Sequence, residues 1–200
     1  MVVQSTTMGA LDSFVDDVAS LFEAPSDEAT LPTAVAHRLE HLLQAPDWLD
    51  EEYCEPWDDR YRQHLLYVAP GGIFSVVALV WKPGQQTPIH DHVAWCVAGV
   101  LVGCERETRY RLYQQDDERF LVERGARNLV PGEASALVPP DEDIHRVECT
   151  GTGQAISIHV YGADIGRLGS SINHRFDDVA IRKRAGIATP VSWRQAASNA

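Results

Sequence analysis

Between His64 and Tyr161 the chain is a succession of short β-rich runs, and no other feature restricts its fold as strongly. The runs read HLLYVA, IFSVVALVW, WCVAGVLVG, TRYRLY, RFLVE, ASALV, HRVECT and AISIHVY. Turn chemistry separates them, at Pro70-Gly71-Gly72, Pro83-Gly84, Asp116-Asp117, Pro131-Gly132, Pro139-Pro140 and Gly151-Thr152-Gly153. No stretch of helical period lies between them. That excludes βαβ units and leaves an antiparallel sandwich or barrel.

The residues before the β region follow a different period. Leu11, Phe14, Val15, Val18, Leu21 and Phe22 form a single helical stripe. A second helix is expected from near Thr30, with Pro32 tolerated in its first turn. Its stripe is Val35, Leu39, Leu42 and Leu43, and it ends before Pro46. His37 and His41, four apart on that helix, have no third ligand nearby and read as a surface pair. After Tyr161 the sequence turns mixed and polar, with a short helix expected near Val179–Arg184. No repeat or linker interrupts the 200 residues, so one domain is expected. Its parts would be a helical segment over about 1–60, a β-barrel over about 61–165 and an extension over about 166–200.

Acids outnumber bases 29 to 17, giving a formal charge of −12, which disfavours binding to nucleic acid or to anionic lipid. The longest apolar stretch, Ile73–Trp81, is far too short to span a bilayer. No basic segment followed by an apolar one opens the chain, so a cytoplasmic location and four reduced cysteines are expected. Nothing in the sequence specifies an oligomeric state. Histidine is the unusual component, with eight residues.

His90-Asp91-His92 follows a Pro-Gly turn and precedes a β-run. Histidines at i and i+2 of an extended segment project from one face, so both imidazoles can reach one metal. His145 begins a later run and can supply a third ligand if the strands lie side by side, leaving open positions for substrate.

The spacing around these residues resembles the cupin superfamily. Gly84 is followed by five residues, then His90 and His92; Cys96 follows after three more, and Gly103 after a further six. Every interval agrees with the first cupin motif, but cysteine stands where that motif has a glutamate ligand. Pro140 precedes His145 by five residues, as in the second motif, whose glycine and asparagine are replaced by Glu142 and Cys149. The implied fold is mainly β, a small antiparallel cupin barrel preceded by α-helices. Three neutral imidazoles leave the full +2 charge on a metal, which favours an anionic ligand, a thiolate above all.

Over about Tyr61 to Tyr161 the chain is similar to a narrower cupin branch, the cysteine dioxygenase-like thiol dioxygenases. These carry a Ser-x-His-x-Tyr strand, matched here by Ser157, His159 and Tyr161. The resemblance implies one Fe(II) per chain on His90, His92 and His145, with O2 as co-substrate and a small thiol as substrate. The thiol would be oxidised to its sulfinate. Tyr161 would point toward the reacting atoms, oriented by His159 and Ser157.

Animal cysteine dioxygenases hold the substrate carboxylate with an arginine in a Tyr-x-Arg segment. The corresponding Tyr61-Arg62-Gln63 places Gln63 at that arginine's position, as in the bacterial glutamine type associated with 3-mercaptopropionate. Some of those enzymes supply an arginine nine residues after the motif tyrosine, where this chain has Ser170. Arg167 is the nearest replacement, with Arg62 and Arg175 behind it. In animal enzymes a cysteine near the metal strand can form a thioether to the motif tyrosine. Cys96 is one residue out of that spacing, so Tyr161 is expected to be uncrosslinked. Other readings are cysteine dioxygenase in the strict sense, a cupin of different activity such as diketone oxidation, or a non-catalytic ligand-binding cupin.

Overall fold

The strand Ser75–Trp81 is apolar along nearly its whole length, and every residue of it is buried. A strand of that kind is covered on both faces, and in this computed structural model it is. The structure describes residues 8–23, 30–140, 142–183 and 189–190. Two helices, α1 (Met8–Glu23) and α2 (Leu31–Leu43), lead into strands β1 (Arg62–Val68), β2 (Ser75–Trp81), β3 (His90–His92) and β4 (Cys96–Val102). There follow β5 (Glu105–Gln115), β6 (Glu118–Leu129), β7 (Ala134–Leu137), β8 (His145–Cys149) and β9 (Ala155–Tyr161). A one-turn helix α3 (Ile165–Leu168) and strands β10 (Ile172–Arg175) and β11 (Ala180–Arg182) come next.

The strands form two sheets. One has the order β1-β2-β9-β4-β7, and the other runs β10-β3-β8-β5-β6-β11, with residues Thr189–Pro190 also pairing with β5. Except for β11 on β6, every pairing is antiparallel, and the order interleaves distant strands as a cupin double-stranded β-helix requires. The fold is therefore the mainly β cupin with N-terminal helices that the sequence implies. Cys54, Cys96, Cys104 and Cys149 are free thiols.

Both helices fall where the apolar stripes put them. Leu11, Phe14, Val15 and Val18 of α1 and Val35, Leu39, Leu42 and Leu43 of α2 are buried against Val76, Ala78, Val97, Ile158 and Val160 on the outer face of the first sheet. Burying one such side chain contributes about 1.5–3 kcal/mol. Helix α2 can approach β4 closely because residue 99 is glycine; a Cβ there would lie 2.6 Å from Leu43 Cδ1. The opposite face of the sheet carries Val77, Leu79, Trp81, Cys96, Ala98 and Tyr161 into the barrel interior. At the end of β4, Gly103 takes φ +80°, and a Cβ on it would meet the Gln154 carbonyl oxygen at 2.5 Å.

His37 is exposed beside Glu40, 3.4 Å away, and His41 is exposed on the same helix. The helix expected near 179–184 is not there: Ala180–Arg182 is β11, exposed and paired in parallel with β6 through Phe120, Leu121 and Val122. Pairing with an open sheet edge satisfies its backbone, and a tract with no apolar stripe has little to gain from a helix. Arg184 lies outside the described residues. Among the described residues no helix is long and apolar enough to cross a membrane.

Candidate metal centre

His90 and His92 extend from β3, and the short pairing of β3 with β8 sets His90 directly opposite His145. Strand alternation turns all three rings inward, where they are almost completely buried. Ring centroids are 4.7 Å apart for His90–His92 and His90–His145, and 4.9 Å for His92–His145. One ring nitrogen from each lies within 4.8 Å of the others, close enough to share an ion.

Each ring is aimed from behind. His90 Nδ1 lies 3.0 Å from the Pro88 carbonyl oxygen, and His145 Nδ1 lies 3.1 Å from Glu107 Oε1. His92 Nδ1 is 3.5 Å from Asp143 Oδ2, which also accepts the His92 backbone N–H at 2.7 Å. For His90 and His145, holding Nδ1 on an acceptor fixes the tautomer and leaves Nε2 as the ligand atom, whereas His92 Nδ1 makes no hydrogen bond and Asp143 holds that residue by its backbone. Burial, reinforced by the neighbouring histidines, pushes His90 well below the usual imidazole range. Burial does the same to His145 despite the opposing pull of Glu107. Neutral His90 and His145 rings with free lone pairs suit a cation, and with His92 beside them the donor set fits a first-row divalent metal.

Glu107 is the most heavily engaged of these anchors. Its Oε1 also lies 3.3 Å from Arg109 Nε, and its Oε2 accepts from Ser135 Oγ at 2.9 Å and from Arg127 Nε at 3.3 Å. Burial alone would raise this carboxyl, but the His145 contact, with Arg109 and Ser135, holds it well below the usual carboxylate range. It is ionised at every physiological pH.

Tyr161, His159 and Ser157 share one face of β9 and form a buried chain. Tyr161 Oη lies 3.2 Å from His159 Nδ1, and His159 Nε2 lies 3.0 Å from Ser157 Oγ. Trp81 Nε1 donates to the same Ser157 oxygen at 3.1 Å. The Tyr161 ring is 6.2 Å from that of His92, so this chain ends beside the histidine cluster. Burial, and secondarily the nearby metal-site histidines, lowers His159 to about 3. Burial raises Tyr161 well above its ordinary range. Cys96 is the register partner of Tyr161 across β4 and β9 and hydrogen-bonds its hydroxyl. Burial raises that thiol strongly, so Cys96 is protonated.

A family model described as cysteine dioxygenase type I matches residues 33–169, a span that holds the histidine cluster, Cys96 and the β9 chain together. The chain belongs to the cysteine dioxygenase type I family. Within it, the chain is 31% identical over 108 residues to cysteine dioxygenase type 1 of Rattus norvegicus, covering 52% of each protein. It is 30% identical over 106 residues to the Homo sapiens protein of the same name, again over 52% of each. The chain thus spans about half the length of the curated relatives it matches. Among solved structures it is similar to a Klebsiella pneumoniae protein with a double-stranded β-helix domain, at 18% identity and TM-score 0.42, covering 58% of this chain and 89% of that one. A cupin superfamily protein from Desulfitobacterium hafniense gives 13% identity and TM-score 0.38, over 54% and 81% of the two chains.

The metal trio and the Ser157, His159 and Tyr161 chain expected from the sequence of this family member are brought together. The two expected substrate contacts are not. A cavity of about 380 Å³ is lined by Tyr61, Gln63, Trp57, Arg60 and the segment Gly169–Ile172. It adjoins the metal centre, because Ile172 pairs with His92 and Ser171 hydrogen-bonds Tyr161. Gln63 therefore faces the cavity, whereas Arg167 is exposed on α3, outside its lining. Arg60, which sequence reasoning passed over, lines it instead. Glu107 and Asp143 were also missed. An acid at an inward-facing position of β5 is the signal that could have found Glu107, whereas Asp143, in the connection before β8, left no periodic mark.

Proposed function

We propose that the chain is a thiol dioxygenase that holds one Fe(II) on His90, His92 and His145. It would oxidise a small thiol carboxylate, 3-mercaptopropionate or L-cysteine, to its sulfinate with O2. The observation that carries this reading is a cluster of three buried histidines with no carboxylate beside it in the cupin position, where Cys96 stands. The family assignment supports the same reaction class.

The overall change is RS⁻ + O2 → RSO2⁻, in which sulfur gives up four electrons and both oxygen atoms end on it. When bound, the metal supplies the redox chemistry that joins dioxygen to sulfur. The protein's part is positional and electrostatic. Glu107, Asp143 and the Pro88 carbonyl keep the rings aimed. Tyr161, buried beside His92, is the hydroxyl that meets the reacting atoms, held there by His159 and Ser157. Gln63 offers an amide to the substrate's polar end.

The substrate is an anion and the chain carries −12, so attraction must be local. Arg60 at the cavity and Arg167 on α3 are the two cations proposed for the substrate carboxylate, and Arg60 is the better placed. Sulfinate formation by Fe(II)-loaded protein from 3-mercaptopropionate and from L-cysteine tests the reading. Turnover of 3-mercaptopropionate at least equal to that of cysteine is expected. A tenfold or greater preference for cysteine would reverse the order of the two substrates, and no sulfinate from any small thiol would overturn the function.

A further inference from the structure

Glu105, two residues before Glu107 and on the same inward face of β5, has no part in the mechanism above. It is 1% exposed. Its carboxyl hydrogen-bonds the Ser157 hydroxyl, and its Oε1 has no protein partner. An ionised carboxylate with an orphaned buried oxygen is costly, whereas a neutral carboxyl can spend its proton on Ser157 and leave the carbonyl oxygen bare. The titratable groups facing it are Glu107 along the strand and the Cys149 thiol, its register partner on β8. Neither is a cation that would hold it ionised. Burial first, and then the Glu107 charge, raises it to about 8.

The Ser157 oxygen makes this protonation state consequential. It has one proton and two lone pairs. Trp81 Nε1–H is a donor only, and it fills one lone pair. One lone pair and one proton remain, to be divided between Glu105 and His159 Nε2. A neutral Glu105 donates to Ser157, so Ser157 donates to His159 Nε2. The His159 proton then sits on Nδ1 and is donated to the Tyr161 oxygen. The Tyr161 O–H is left to donate away from His159, to Ser171 on the cavity side in preference to the weakly accepting Cys96 sulfur. An ionised Glu105 reverses every bond: Ser157 donates to it, His159 Nε2–H donates to Ser157, and Tyr161 donates back into the protein to His159 Nδ1.

We propose that Glu105 is a positioning residue that sets the direction of the Ser157–His159–Tyr161 hydrogen-bond chain, presenting the Tyr161 proton to the reaction cavity when the carboxyl is neutral and withdrawing it when ionised. The bond direction between Glu105, Ser157 and His159 follows from donor and acceptor counting, with the protonated Cys96 thiol only a weak partner 3.9 Å from His159 Nδ1; its consequence for turnover rests on the thiol dioxygenase reading.

The tautomer of His159 reports the direction without any metal or substrate. In metal-free protein labelled with 15N-histidine, and with His159→Gln used to assign the signal, spectra at pH about 6 and about 10 bracket the Glu105 transition. The His159 proton is expected on Nδ1 at the lower pH and on Nε2 at the higher. In Glu105→Gln, an isostere with no titratable proton, the tautomer should not change between the two. In Ser157→Ala the link is cut, and the tautomer should again ignore pH. In Fe(II)-loaded enzyme, kcat should fall above pH about 8 in the wild type but not in Glu105→Gln, with KM unaffected. A wild-type tautomer that is the same at both pH values overturns the proposal, as does a switch that survives Glu105→Gln. A switch that occurs in protein unable to oxidise any thiol upholds the proposal and defeats the dioxygenase reading instead.

Discussion

Glu107 Oε1 lies 3.1 Å from His145 Nδ1, and this carboxylate is the only one of the three ring anchors that also gathers Arg109, Arg127 and Ser135. It fixes the His145 ring and makes its far nitrogen more basic. Glu107→Gln keeps the shape but removes the charge, so Fe(II) should bind about 10–100-fold more weakly. Competition with a chelator of known affinity measures the loss. Unchanged affinity would mean that the contact has no bearing on the metal.

Tyr161→Phe removes one hydroxyl from a ring that otherwise stays packed against His92 and His159. The variant should retain full iron content, while turnover drops by about 10²-fold or more. Full activity with a normal metal load would refute the role given to Tyr161.

Cys96 and Tyr161 face each other across β4 and β9, but the thiol is held protonated by burial and the protonated form is the poor nucleophile. The two are expected to remain separate. Intact mass should equal the sequence mass, and a mass two hydrogens lower together with a linked Cys96–Tyr161 peptide would contradict this.

Glu105 also leaves a mark on stability. Its carboxyl rises from 4.5 unfolded to about 8 folded, so below the unfolded value both states bind the proton. As pH climbs between these values the unfolded chain ionises while the folded one does not, and stability falls; above about 8 the loss is complete. The full difference is up to about 5 kcal/mol. Denaturant titrations should show Glu105→Gln level with the wild type at acid pH, gaining on it over that window and keeping a constant margin above it. Parallel curves from acid to alkali would remove the basis for a neutral Glu105.

What the sequence revealed and what it hid divide along physical lines. The β2 and β9 runs and the α1 and α2 stripes were legible because burial imposes a period on the residues themselves. His90 and His92 were legible because both ligands come from one short strand, and Ser157, His159 and Tyr161 because they alternate along another. Glu107 and Asp143 act on histidines 38 and 51 residues away, through a sheet register that no local spacing records. Glu105 was hidden for the same reason, although acids at the first two inward positions of β5 mark the strand as unusual. At 179–184 the misreading came from an exposed strand, which has no apolar face to announce its period.

The account stands most directly on oxygen consumed per sulfinate formed, with iron content measured on the same samples. Fe(II)-loaded wild-type protein given 3-mercaptopropionate should consume one O2 for each sulfinate released, and His145→Ala should lose both the iron and the reaction. Oxygen uptake without sulfinate, or sulfinate formation that persists in His145→Ala, would contradict a dioxygenase built on His90, His92 and His145.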